Sequence, residues 1–142
     1  LLIQRSKAAG MNAIFFQAVS RGDAMFESEY LPWSNWLTGT GGQGRPGFDP
    51  LAIAVDEAHK LGMELHVWFN VFRIGDTQTK NYYQNADDPK HVIYGHPEWV
   101  QEDESGNPWL IPSNAEARAW LQHAGEEIPL PQPRPSAQHD GY

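Results

Sequence analysis

Apolar and polar positions alternate most clearly over Glu64-Leu65-His66-Val67-Trp68-Phe69-Asn70-Val71-Phe72-Arg73. Side chains alternate across a strand, so Leu65, Val67 and Phe69 share one face and His66, Trp68 and Asn70 the other. Bulk on both faces predicts a central parallel strand covered on both sides. Asn70 and Arg73 fall at its C-terminal end, where α/β sheets place their binding chemistry. Upstream, Leu51, Ala54, Val55, Ala58 and Leu61 recur at helical spacing. Asp49 is placed to cap that helix, Pro50 suits its first position, and Gly62 ends it.

The first residues repeat this arrangement. Leu1 to Ala9 reads as the last turns of a helix with Gly10 as its stop. Ala13-Ile14-Phe15-Phe16 centres an apolar run, predicted to be a strand that ends near Gln17. Each half thus has a helix, a Gly-Met stop, a strand, an aromatic pair and an amide, Gln17 or Asn70. This faint repeat predicts an α/β fold with parallel strands and helical crossovers.

Between and after the repeats the pattern weakens. Residues 18 to 48 form a long connection holding Arg21-Gly22-Asp23, Trp33, Trp36 and a glycine cluster at 39–44. Long loops in compact domains are functional or disordered, and the embedded aromatics argue against disorder. The glycine cluster lacks the Gly-Lys-Ser/Thr ending of a phosphate loop and is read as a flexible turn. Residues 74 to 112 are polar, irregular and punctuated by proline, with one helical turn at His96-Pro97-Glu98-Trp99-Val100. Ser113-Asn114-Ala115-Glu116 has the form of a capping box. Ala117, Trp120, Leu121, Ala124 and Ile128 continue it as an amphipathic helix. The repeat then predicts a third strand, but residues 129–142 carry four prolines and cannot enter a sheet interior. The expected organisation is one domain over 1–128, then a proline-rich tail that is disordered or out of frame.

Composition narrows the classes. A length of 142 residues suffices for one domain with a real core. The formal net charge of −8 argues against a nucleic-acid partner and against an anionic membrane surface. No apolar run reaches the length of a membrane span, and the first residues do not form a signal peptide. Cysteine is absent, which excludes disulfides and thiolate metal sites. The six histidines include no His-Glu-x-x-His, and His91 and His96 are separated by a flexible loop that prolines flank, so neither a metal nor another cofactor is expected. Ser34 is not in a Gly-x-Ser-x-Gly elbow, which argues against a serine nucleophile.

Several motifs in order then resemble one family. They are Asn12 to Gln17, Gly22-Asp23-Ala24, Pro32-Trp33-Ser34, Leu37-Thr38-Gly39 and Asp49-Pro50-Leu51. The most specific runs from Glu57-Ala58-His59-Lys60 through Gly62 into Leu65 to Asn70, and His96 to Trp99 and Asn114 to Arg118 fit as well. The chain resembles the glycosyl-hydrolase-like family 10 domain, a bacterial (β/α)₈-barrel group of glycoside hydrolases, over Leu1 to Ile128. It departs where the family has Arg-Pro, here Val19-Ser20, and where the family's Asn-Pro-Tyr-Arg reads Asn70-Val71-Phe72-Arg73.

The resemblance implies a partial TIM barrel of about two to three βα units, since a whole barrel takes about 250 residues. It implies a glycoside hydrolase fragment, inactive alone, acting on bacterial cell-wall glycan or another polysaccharide outside the cytoplasm. Such hydrolysis uses two carboxyl groups. Asp23 is the expected catalytic carboxylate, with an Asx turn beside Gly22 as its alternative. Glu29 is the weaker candidate. The expected substrate-binding residues are Gln17, Arg21, Trp33, His66, Asn70 and Arg73, with Arg21 replacing the family's lost arginine. Trp36 and Trp68 are read as packing. A non-catalytic carbohydrate-binding module, using Trp33 with Asn70 and Arg73, is the alternative function.

Overall fold

The computed structural model describes residues 2–39, 41, 45–86 and 91–128. Most of the expected glycine turn at 39–44, and the whole tail from 129, lie outside the described residues. The first repeat consists of helix α1 (Leu2–Ala8) and strand β1 (Ala13–Val19). A connection follows, with a short helix α2 (Asn35–Thr38) embedded in it. The second repeat is α3 (Pro50–Lys60) and β2 (Glu64–Phe69). Asp49 caps α3 by accepting from the Ala52 amide at 2.9 Å, with Pro50 at the start of the helix, as the sequence predicts.

The repeat is real at the level of topology. β1 and β2 pair in parallel, with Ile14 beside Leu65 and Phe16 beside Val67. These residues pack against the core formed by Leu51, Ala54 and Ala58 of α3 with Phe26 and Leu31 of the connection. β1 extends past Gln17 to Val19, with a register shift that leaves Ala18 as an extra residue. Such bulges re-aim side chains beside functional sites.

The other face corrects the expectation of a strand covered on both sides. Phe15 is 75% exposed and Trp68 54% exposed, and His66 is also exposed. Trp68 is therefore not a core residue among the described elements.

Residues 74–112 are more structured than their sequence suggests. They form α4 (Thr79–Tyr83), α5 (Val92–Gly95) and a 3₁₀ turn at Pro97–Trp99. An antiparallel hairpin of β3 (Val100–Glu102) and β4 (Pro108–Leu110) follows. The last helix is α6 (Ala115–Glu126). Its cap is Asn114, which accepts from the Ala117 amide, rather than the expected Ser113. Glu116 instead accepts from the Trp99 indole, so the capping box does not close. Ile74, Val92, Ile93, Leu110, Ala117 and Leu121 make a second core, and Phe69 and Trp120 pack against both. No helix among the described residues is long and apolar enough to cross a membrane.

Candidate functional site

The C-terminal ends of β1 and β2 open into one cleft of about 690 Å³. Gln17, Arg21, Asn70 and Arg73 line it, so four of the predicted site residues meet there. Ser20, Trp36, Trp68, Phe72, Asp76 and Trp109 add to its polar and aromatic walls. Asn70 ties the two strand ends together. Its amide group donates to the Ser20 carbonyl at 2.7 Å, and its carbonyl accepts from the Trp68 indole at 2.8 Å. Trp68 is thereby held at the cleft wall rather than in a core.

Arg21 is the most constrained group of the cleft. Its guanidinium donates to Asp76 at 3.2 Å and to the Asn35 side chain at 2.5 Å. Trp36 and Tyr82 place rings 5.3 and 5.7 Å from it, within cation–π range. The Nε atom of Arg21 is buried without a hydrogen-bond partner among the described residues. Asp76 also accepts from the Gln78 amide and from Thr79. Burial alone would raise its pKa, but these bonds and Arg21 together lower it, so it stays ionised opposite Arg21. Arg73 is looser: its side chain is exposed and donates to the Gly75 carbonyl at 3.3 Å.

Asp23 lies behind the cleft. It is 1% exposed, and its carboxylate accepts from the Arg21 amide and from the Tyr83 hydroxyl. The amide it holds precedes it by two residues, the reverse of an Asx turn, so neither the turn nor direct access to the cleft describes it. The Tyr83 hydroxyl also accepts from the Asn35 amide at 3.0 Å, linking Asp23 to the residue that holds Arg21. Burial foremost, then the charge of Asp23, pushes the Tyr83 pKa far up, so the phenol keeps its proton and donates.

His91 closes the same network from below. It is fully buried, and its Nε2 donates to the Arg21 carbonyl at 2.6 Å while Nδ1 accepts from the Ile93 amide. Both ring nitrogens are thus satisfied in the neutral form, and burial pulls its pKa down to about 4. Gly22 permits the approach: it has φ +69°, and a Cβ there would lie 3.0 Å from the His91 ring.

Besides Asp23, three further predicted residues stand outside the cleft. Trp33 lines a separate groove with Glu27, Arg45 and Phe48, because a bridge to Ala24 turns it away. His66 stacks on Phe15 on the exposed sheet face and pairs with Glu64 at 2.9 Å. Glu29 is exposed, and its amide donates to Glu127 at 2.7 Å. Conversely, Trp36 is 71% exposed in the cleft rather than packed. Trp109 and Asp76 were not legible as site residues, since both depend on how residues 74–112 fold.

Two parallel strands joined through a helical crossover, with polar groups gathered where they end, define a partial α/β fold with a candidate site at the strand ends. The chain belongs to the Glycosyl hydrolase-like 10 family, whose model matches residues 2–128. Glycosyl hydrolase DigH of Escherichia coli K12 is 33% identical over 139 residues, covering 94% of this chain and 31% of that protein. Glycosyl hydrolase YngK of Bacillus subtilis is 38% identical over 128 residues, covering 89% of this chain and 24% of that protein. The chain therefore spans under a third of the length of these curated relatives.

Proposed function

We propose that the chain is part of a (β/α)₈-barrel glycoside hydrolase and supplies a glycan-binding portion of its substrate cleft. The observation that carries this reading is the convergence of Arg21, Asn70 and Arg73 with Trp36 and Trp68 at the ends of two parallel strands. Sugar recognition needs flat apolar faces for the rings and directed polar groups for the hydroxyls, and this cleft has both. The Nε of Arg21, unpartnered among the described residues, supports the same reading, because a buried unsatisfied donor costs about 1–3 kcal/mol and calls for a functional explanation. The exposed face with Phe15, His66 and Trp68 fits the inner wall of a barrel, where further strands would cover it. The substrate class is a cell-wall glycan or another polysaccharide met outside the cytoplasm.

Hydrolysis requires a pair of carboxyl groups about 5–10 Å apart. Among the described residues, Asp76 is the carboxylate that lines the cleft, and it is engaged by Arg21. In this reading Asp23 serves the site as a positioning residue: it holds the Arg21 main chain and, through Tyr83 and Asn35, the guanidinium. Calorimetric titration of the chain with a soluble β-linked oligosaccharide tests the proposal. Saturable binding that Trp36→Ala abolishes is expected, and no binding at millimolar sugar would overturn it. A second reading, a non-catalytic carbohydrate-binding module, is favoured by the engagement of Asp76. The two differ in whether a protein containing this domain releases new reducing ends from the bound glycan.

A further inference from the structure

The hairpin β3–β4 is built to hold one side chain in the cleft. β4 lies against the chain just after β2: the Leu110 amide donates to the Phe72 carbonyl at 2.8 Å, and the Ile74 amide to the Pro108 carbonyl at 3.3 Å. These bonds flank Arg73 and Trp109, which bridge in antiparallel fashion. The two are therefore a non-hydrogen-bonded pair, the kind whose side chains stand closest. The alternation sorts the rest: Ile74, Pro108 and Leu110 are buried, while Arg73 and Trp109 turn to the cleft.

The free rim of the Trp109 indole is also held. Its Nε1 donates to Asp103 at 3.0 Å, across the hairpin turn. The same carboxylate accepts from the Ser105 and Asn107 amides and from the Asn107 side chain. Gly106, at φ +81°, lets the turn fold back far enough for this. The Asn107 bonds foremost, then that of Trp109, hold the Asp103 carboxyl down to about 2, so it remains an ionised acceptor at ordinary pH. A surface indole clamped at both its backbone and its ring nitrogen is preorganised, which lowers the entropy lost on stacking a ligand.

We propose that Trp109 is a sugar-stacking residue of the cleft, with Asp103 as its positioning residue. The proposal rests on the glycan-binding reading above. The ligand class is a β-linked glycan, whose pyranose rings present flat C–H faces to an indole. With Trp36 and Trp68, Trp109 gives the cleft aromatic surfaces from three separate segments of the chain, enough to engage more than one ring.

The test titrates the 142-residue chain with β-1,4-linked N-acetylglucosamine tetrasaccharide and reads both affinity and the indole N–H signals by NMR. Trp109→Ala is expected to weaken binding about tenfold or more. Trp109→Phe, which keeps a ring to pack, is expected to retain most of the affinity. Asp103→Ala is expected to weaken binding by a smaller factor and to shift the Trp109 indole signal in the free protein, with Asp103→Asn restoring both. Wild-type binding that Trp109→Ala leaves unchanged would overturn this proposal while the glycan-binding reading stands. Absence of wild-type binding would overturn both.

Discussion

β1 and β2 are alike in topology and in the face they bury, and opposites where they end. The end of β1 passes into Arg21 and Asp23, which are enclosed by Tyr83, Asn35, His91 and Asp76 from distant parts of the chain. The end of β2 passes into Asn70, bonded to Ser20 and Trp68, and Arg73, with a long contact to Gly75, and both line the cleft. Both ends reach the same cavity. The difference separates two jobs: one strand end is a buried frame that fixes the position of a charge, and the other is an open surface able to meet a ligand. A sequence repeat thus predicts the strands without predicting which end is solvent-facing, because the enclosing groups lie outside the repeat.

The comparison can be broken by changing conditions or residues at each end. The largest effect is expected from acid. His91 titrates near its ordinary value of about 6.5 when unfolded but at about 4 when folded. The unfolded chain therefore binds the proton first, so stability is full above pH 6.5 and falls as pH drops toward 4, by roughly 3 kcal/mol. Urea titrations at stepped pH should show this slope, and His91→Gln should flatten it. A wild-type protein equally stable at pH 4 and pH 7 would dissolve the buried frame.

Tyr83→Phe comes next. It removes the hydroxyl that donates to the buried Asp23, a charge-assisted bond, at an expected cost of about 2 kcal/mol. The midpoint of chemical unfolding should move accordingly, and the Arg21 guanidinium signals should broaden as Asn35 is released. Asn70→Ala should cost about 1 kcal/mol, since it loses the bond to Ser20 and frees the Trp68 indole. Arg73→Ala is expected to change stability by less than about 0.5 kcal/mol, as for an exposed side chain with one long contact, while still weakening glycan binding. If Arg73→Ala destabilises the fold as much as Tyr83→Phe, the two ends are not distinct.

The regular elements were legible because their signals are local. Asp49-Pro50 marks the start of α3, Gly10 and Gly62 end their helices in the left-handed region, and the apolar positions of α3 and α6 face the cores. Asn70, Gln17 and Arg73 were legible for the same reason: each lies near a strand end that periodicity could place. Asp23 could be named but not located, because its burial depends on Tyr83, 60 residues further along. Trp33 and Trp36 lie three residues apart and divide between two grooves once Ser34 caps α2, a division that no local pattern in the sequence signals. The hairpin carrying Trp109 has strands of three residues each, too short for any periodicity to register. Its signal was the turn around Gly106, where Asp103 and Asn107 flank a residue of positive φ.

The six tryptophans make the central claim directly measurable. Each indole N–H gives one signal in a ¹⁵N–¹H spectrum, and the cleft contains Trp36, Trp68 and Trp109 but not Trp33, Trp99 or Trp120. Titration with a soluble β-linked oligosaccharide should move the first three signals along saturating curves with a shared dissociation constant, and leave the other three in place. Movement of Trp33 without Trp36, or no movement at saturating sugar, would contradict a glycan-binding cleft at the ends of β1 and β2.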